Sequence, residues 1–575
     1  VDLYPHVATP CLEVCMSNPS NGTSGRNAGG PLRDEDNESK DGACSDETAP
    51  LLPNKEPSAP SCAPIAWLHM LADSFGHRLL VLLFVVQHCQ KGFASAFAGQ
   101  AEPYLYKTYK VPAPQVQIFG CVTGLPWILK PIIGLLSDTM PVMGYKKAPY
   151  MMLTSVVCAM ACLAVGLVPR DTLTITLLIV CLVAVNMQFS ACDLLSEAKY
   201  AEKIRSSPTR GPSLLTFVWF GMQVGGLLAT LLAGPTIHVA GPKIPYLVAA
   251  VPALLVTLPV AMGYLEEQWT SPEEARAIRQ RYYQQKEACA LCFLMLGSGV
   301  ALAVCGICSH DPKTNCIVAV IVATVVLMGF SLVLNPVVAK FNAFSLIQGA
   351  LSLNIGGASF YFYTDTEKQY PAGPHFTEFF YNSVMGTLGS ICSLVGIYFY
   401  QRYMTSWKYR HLLIFTNVVA SILSGLDILM FARLNKRIGI PDHVLVLGLS
   451  IFQSVIFQWQ WMPQVVILSY LCPAGMEATM YALLAGCANL GNSVSQNFGA
   501  MLLQALGCRP SGEDGETEQF RNLWIAASIA TVLPLLAVLL LQGLIPDARQ
   551  DEKIVRDEET DATSGSVLRS LWRRD

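Results

Sequence analysis

Long apolar runs, separated by short charged or turn-forming stretches, fill the chain from about residue 79 to residue 545. Crossing a hydrocarbon layer about 30 Å thick takes roughly 20 apolar residues in a helix. Runs of that length cover 79–106, 115–137, 148–168, 172–196, 213–233 and 245–264. A charged amphipathic stretch from Glu266 to Lys286 follows, and then come 288–308 and 317–338. A last set covers 342–363, 378–400, 411–432, 444–471, 478–507 and 521–545. The pattern predicts an all-α polytopic membrane protein with fourteen spans, or twelve if the Cys-rich pair at 288–308 and 317–338 is re-entrant or peripheral.

That reading divides the chain into six parts. Residues 1–76 are a disordered tail, 77–264 a first six-helix half and 265–286 a linker. Residues 287–340 hold two extra helices, 341–545 a second six-helix half and 546–575 a second tail.

Composition agrees. Of the 575 residues, 52% are hydrophobic and only 14% charged, against about 25% charged in ordinary soluble domains. This excludes a soluble enzyme, a nucleic-acid binder and a disordered scaffold. The net charge of -3 says little about partners, because the charges sit in loops and tails. Most of the 19 cysteines fall in apolar runs, where a thiol acts as a small hydrophobe. No signal-peptide pattern precedes the first run, so none is expected. Lys and Arg are more frequent in one set of loops, among them Lys146, Lys147, Lys203, Arg279, Lys408 and Arg410. This bias puts both termini in the cytoplasm and leaves the sequons at Asn21 and Asn37 unglycosylated.

Charges inside spans cost about 2.5–3.5 kcal/mol each at the helix centre and mark cavities or relays. The first span holds Gln87, His88, Gln90 and Lys91, with Glu102 returning to the same face near its far end. The second holds Lys130 three residues after Trp127, and a cation beside an indole suits a flat anionic ring. Lys91 and Lys130 could equally pair with Asp193 or Glu102. The fourth span places Asn186, Asp193 and Glu197 on one stripe. Two carboxylates one turn apart favour holding a proton, so Asp193 and Glu197 are candidates for proton coupling. Asn489, Asn492 and Gln496 make a polar stripe in a late span, with Asn492 and Gln496 as candidate substrate ligands. Gln458, Gln460 and Gln464 with Trp459 and Trp461 add further polar and aromatic groups. Asp427 is a lone acid expected to pair with a neighbouring helix.

The pairs Cys289/Cys292 and Cys305/Cys308 mimic zinc-ribbon spacing, but they lie on an apolar helix and no metal is expected. No catalytic constellation and no nucleotide-binding motif occurs, so neither an enzyme, a cofactor nor ATP-driven transport is expected.

The loop Gly134-Leu-Leu-Ser-Asp138 through Gly144-Tyr-Lys146-Lys147 resembles the gating loop of the major facilitator superfamily. It differs by extra residues before Gly144 and by Tyr145. In that fold the aspartate pairs with nearby bases. Pro126-Trp127-Ile-Leu-Lys130-Pro131, Asp193-Leu-Leu-Ser-Glu197 through Glu202, and Met462-Pro463 through Leu471-Cys472-Pro473-Ala-Gly475-Met-Glu477 resemble the folate–biopterin transporter family. The resemblance implies a major-facilitator-type bundle of two six-helix halves. It also implies carriage of folate, biopterin or, in some members, S-adenosylmethionine. The two extra spans are a departure. The expectation is thus a multi-pass, secondary-active pteridine importer of the plasma membrane, with Lys91, Lys130, Trp127, His88, Asn492 and Gln496 binding substrate. The alternatives are a carrier of another solute or a multi-pass receptor.

Overall fold

The structure, a computed structural model, describes residues 63–207, 210–284, 286–309, 311–470, 477–550 and 566–567. Most of the two tails, both sequons and the motif residues 471–476 lie outside these. One part of the expected N-terminal tail differs. Ala63–Phe75 forms a helix (α1), because Leu71 and Phe75 bury against the bundle and Trp67 packs on Phe217.

The first half contains α2 (His77–Thr108), α3 (Ala113–Thr139), α4 (Ala148–Leu167), α5 (Ile175–Ser206), α6 (Gly211–Ala240) and α7 (Ile244–Ala261). The linker forms helix α8 (Pro272–Gln284). Next comes a hairpin of α9 (Lys286–Cys308) and α10 (Pro312–Val333). The second half comprises α11 (Pro336–Leu351), α12 (Gly356–Thr364), α13 (Phe379–Met404), α14 (Tyr409–Phe431), α15 (Asp442–Tyr470), α16 (Glu477–Ala505) and α17 (Leu523–Leu544). Among the described residues, twelve helices are long and apolar enough to cross a membrane. The broken rod α11–α12 and helix α16 pack inside the bundle beside them. The result is the expected helical arrangement of two halves with a hairpin between them.

The two halves meet along α3 against α16 and along α6 against α13. The hairpin fills one side of this seam, with α9 on α3 and α10 on α16 and α11. Small residues set the closeness of approach. A side chain at Gly92 would strike the backbone of Met222, and one at Gly491 the backbone of Leu346.

One end of the bundle is sealed between the halves. There the Ala113 amide donates to the Pro510 carbonyl at 2.9 Å, and the Tyr361 hydroxyl to the Val111 carbonyl at 2.7 Å. Ser383 donates to the Thr230 carbonyl at 2.9 Å. At the opposite, linker end, α16 still packs against the Lys130–Thr139 part of α3, while two ion pairs lie within one half or between a half and the linker. Lys203 pairs with Glu266 at 2.7 Å and Lys408 with Asp547 at 3.1 Å.

Candidate functional site

Three charged side chains meet in the interior of the first half. Asp193 of α5 accepts from Lys91 of α2 at 2.5 Å and from Lys130 of α3 at 2.7 Å. All three side chains are 8% exposed or less. Among the described residues these three groups sum to one positive charge, and the buried Glu197 carboxylate one turn along α5 also acts on Lys91.

Local chain chemistry explains how they converge. Residues Phe84–Ala94 of α2 are wound as π-helix, a wider turn often found at functional positions. Gln87 and Lys91, four apart, both reach Asp193; Gln87 donates to its carboxylate at 3.3 Å and to Ser196 at 2.8 Å. In α3, Pro131 lacks an N–H and frees the Trp127 carbonyl. Asn489 of α16 donates to that carbonyl at 3.2 Å, so the kink is satisfied from the other half. Lys130 then lies with its Nζ 4.8 Å from the Trp127 ring centre. The Trp127 indole N–H is held by Asn186 at 3.3 Å. Lys91 sits 5.6 Å from the Trp219 ring of α6, a residue that no motif had marked.

The other candidates divide. Asn492 and Gln496 are partly exposed on α16, and Gln496 lies against Gly120 of α3. Asn489 and Asn497 instead tie α16 to α3, Asn497 through Cys121 at 3.3 Å. His88 is not part of the cluster: its ring packs between Phe84 and Phe217 and against Gly221. Glu197 lies one turn beyond Asp193 and accepts from Tyr200 at 3.5 Å. Asp427 pairs with Gln453 of the neighbouring α15 at 2.8 Å. In the second half, Asn417 accepts from both Gln348 and Gln460, at 3.1 and 3.3 Å.

The loop of Gly134, Asp138, Gly144, Lys146 and Lys147 is clasped by the linker. Glu267 accepts from the amides of Lys146, Lys147 and Ala148 at 2.7, 2.9 and 3.1 Å, capping α4. Gly144 takes a positive φ of 82° under Trp269. The hydrogen-bond partner of Asp138 is the Tyr282 hydroxyl of α8, at 2.8 Å, and not the bases that the resemblance implied. Beside this loop, the hydrogen bond from Lys203 holds the Glu266 carboxyl below its usual range. Among the described residues, no three His, Cys, Asp or Glu side chains converge closely enough to share a metal.

Residues 91–565 match the family model described as BT1 family. The chain belongs to the BT1 family. A relative named "Probable folate-biopterin transporter 6" from Arabidopsis thaliana is 26% identical over 494 residues, covering 86% of this chain and 87% of its own. The "Folate-biopterin transporter" of Synechocystis sp. is 25% identical over 448 residues, covering 77% and 78%. Among solved structures, a POT family transporter in complex with 5-aminolevulinic acid superposes with a TM-score of 0.56 at 13% identity, covering 82% of this chain and 98% of that one. A D-xylose-proton symporter gives 0.51 at 14% identity, covering 85% and 100%. This BT1 family member is a multi-pass membrane transporter and not an enzyme.

Proposed function

We propose that the protein imports a pteridine, folate or biopterin, across the plasma membrane as a secondary-active carrier whose halves rock about the Lys91–Asp193–Lys130 cluster. That cluster is the observation that carries the reading. Two lysines this deep must be paired or face a ligand, and they sit beside two indole faces. Two lysines converging on one carboxylate suit a carboxylated pteridine better than S-adenosylmethionine, a cation at sulfur. The names of the relatives support the same substrate class. Asp193 is then the resident counter-ion that a substrate carboxylate displaces, while Asn492 and Gln496 meet the ligand from the second half. Held by two lysines, Asp193 is not the group that ferries a proton.

The two further rods, α11–α12 and α16, bring the crossings to fourteen beside the twelve apolar helices. The linker end, rich in Lys146, Lys147, Lys203 and Lys408, faces the cytoplasm together with both termini. The arrangement is an inward-facing one, closed at the outer end.

Uptake of labelled folate into cells expressing the protein tests the reading. Saturable accumulation, competed by biopterin and not by S-adenosylmethionine, is expected. Competition by S-adenosylmethionine alone would reassign the substrate. Binding without accumulation would make the protein a receptor.

A further inference from the structure

A second ionisable group on the inner face of α2 has no role in the reading above. Glu102 lies eleven residues beyond Lys91, about 16 Å along the helix, near the sealed end. It does not reach either lysine. Its Oε1 accepts from the Tyr106 hydroxyl at 2.7 Å and from Thr123 of α3 at 3.1 Å. Its Oε2 accepts no hydrogen bond from the described residues and is not fully buried. Glu102 remains partly accessible deep in the bundle, and one turn earlier Gly99 borders open space.

We propose that Glu102 is the proton-carrying group of this transporter: Oε2 takes a proton from one side of the membrane and releases it to the other as the halves alternate. Three features argue for it. First, no Lys, Arg or His among the described residues forms an ion pair with Glu102, in contrast to Asp193. The other titratable groups facing it are the phenols of Tyr106 on its own helix and Tyr246 on α7. A carboxylate with only hydroxyl partners in such a place is neutralised by a proton and not by a salt bridge. Second, both protein hydrogen bonds fall on one oxygen, so the other is left for the proton. Third, Glu102 stands next to the outer closure. Tyr104 accepts from Asn382 of the second half at 3.1 Å, and Lys107 contacts Thr364 at 2.9 Å. Opening that closure would turn the same oxygen from one side to the other. Protonation changes the site from one negative charge to none, and the positive charge imported with the proton offsets an anionic substrate.

The inference rests on the carrier reading, so its test needs a readout that is independent of substrate. In the purified protein, infrared difference spectra between neutral and alkaline buffer should show a protonated-carboxyl C=O band. That band should vanish in Glu102→Gln and persist in Asp193→Asn. In vesicles, Glu102→Gln should lose folate accumulation driven by a proton gradient, while counterflow exchange stays within about twofold of wild type. Glu102→Asp should recover the gradient response. An infrared band unchanged in Glu102→Gln overturns the proposal. So does gradient-driven accumulation in that variant, or loss of counterflow as well. Absence of any pteridine exchange in the wild type, with the band assigned to Glu102, would instead overturn the substrate reading.

Discussion

Lys107 and Asp365 form an ion pair at 2.8 Å that ties α2 of the first half to the loop after α12 of the second, with the Asp365 side chain fully buried. The Lys107 ammonium directs its well-aligned hydrogen bonds to the Thr364 carbonyl and hydroxyl, at 2.9 and 3.3 Å. Neither Asp365 oxygen accepts a well-aligned hydrogen bond. The contact is therefore one of charge, and it closes the outer end together with the Ala113 amide, which donates to the Pro510 carbonyl at 2.9 Å.

The closure should respond to pH. Burial pushes the Asp365 carboxyl up to about 6, more than Lys107 pulls it down. When the outer end opens, the carboxyl is solvated and returns towards about 3.9. The state with the higher proton affinity gains on acidification. Closure should thus be favoured as pH falls from 7 towards 5, with an uptake of at most about one proton. Spin labels on Lys110→Cys and Glu513→Cys, an exposed pair spanning the same closure, should show a growing short-distance population over that range. Asp365→Asn should abolish the dependence. A population that opens on acidification would reverse the sign.

Lys130→Gln should separate substrates by charge. Losing one buried charge contact costs roughly 2–5 kcal/mol, or about 30- to several-thousand-fold in affinity. Folate, with its carboxylates, should weaken by that order, while neutral biopterin weakens far less. Inhibition constants for the two against a single labelled substrate give the comparison. Equal losses would make Lys130 structural.

The spans were legible because a membrane forces long apolar helices, and observed bounds fall within a few residues of expectation for runs such as 148–168, now Ala148–Leu167. The acid–lysine partnership was legible as an alternative, since buried charges must pair. What escaped was non-local. The run 342–363 gave no sign of its break at 352–355, which is held by Gln117 of the other half donating to the Asn354 carbonyl at 2.5 Å. Lys107 and Asp365 sit at span ends, where a charge is unremarkable, and only the fold brings them together. His88 stands beside Gln87 in sequence, yet its ring packs between Phe84 and Phe217. The helix α1 is apolar over thirteen residues, too short to register as a span beside the polar tail that precedes it.

The close contact of α16 with that break makes Gly499 a test of the outer closure. A Cβ there would lie 1.6 Å from the Asn354 carbonyl oxygen and 2.5 Å from the Gln117 amide. Backbone cannot yield as a flexible side chain would. Gly499→Ala should lower the melting temperature in detergent, at a cost of roughly 1–3 kcal/mol, and reduce uptake at least tenfold. Gly543→Ala, where nothing lies within 4 Å, serves as the neutral control. A Gly499→Ala protein with wild-type stability and uptake would show that α16 and the break separate without cost.

The counter-ion role of Asp193 has a signature in stability as well as transport. Asp193→Asn leaves Lys91 and Lys130 facing each other with no negative charge between them. Breaking a buried pair by removing one partner typically costs about 3–5 kcal/mol, because the remaining charge stays buried. The variant should therefore melt well below wild type and fail to transport. Neutralising both lysines in the same chain, as Lys91→Gln and Lys130→Gln, removes the uncompensated charges. The triple variant should regain most of the lost stability, since amides of similar length can hydrogen-bond where the ion pairs stood. It should still not transport folate, because the groups that hold the anion are gone. Thermal melting and uptake measured on the wild type, the single variant and the triple variant distinguish the two effects. An Asp193→Asn protein as stable as wild type would mean that both lysines face water, and that the cluster does not exist as described.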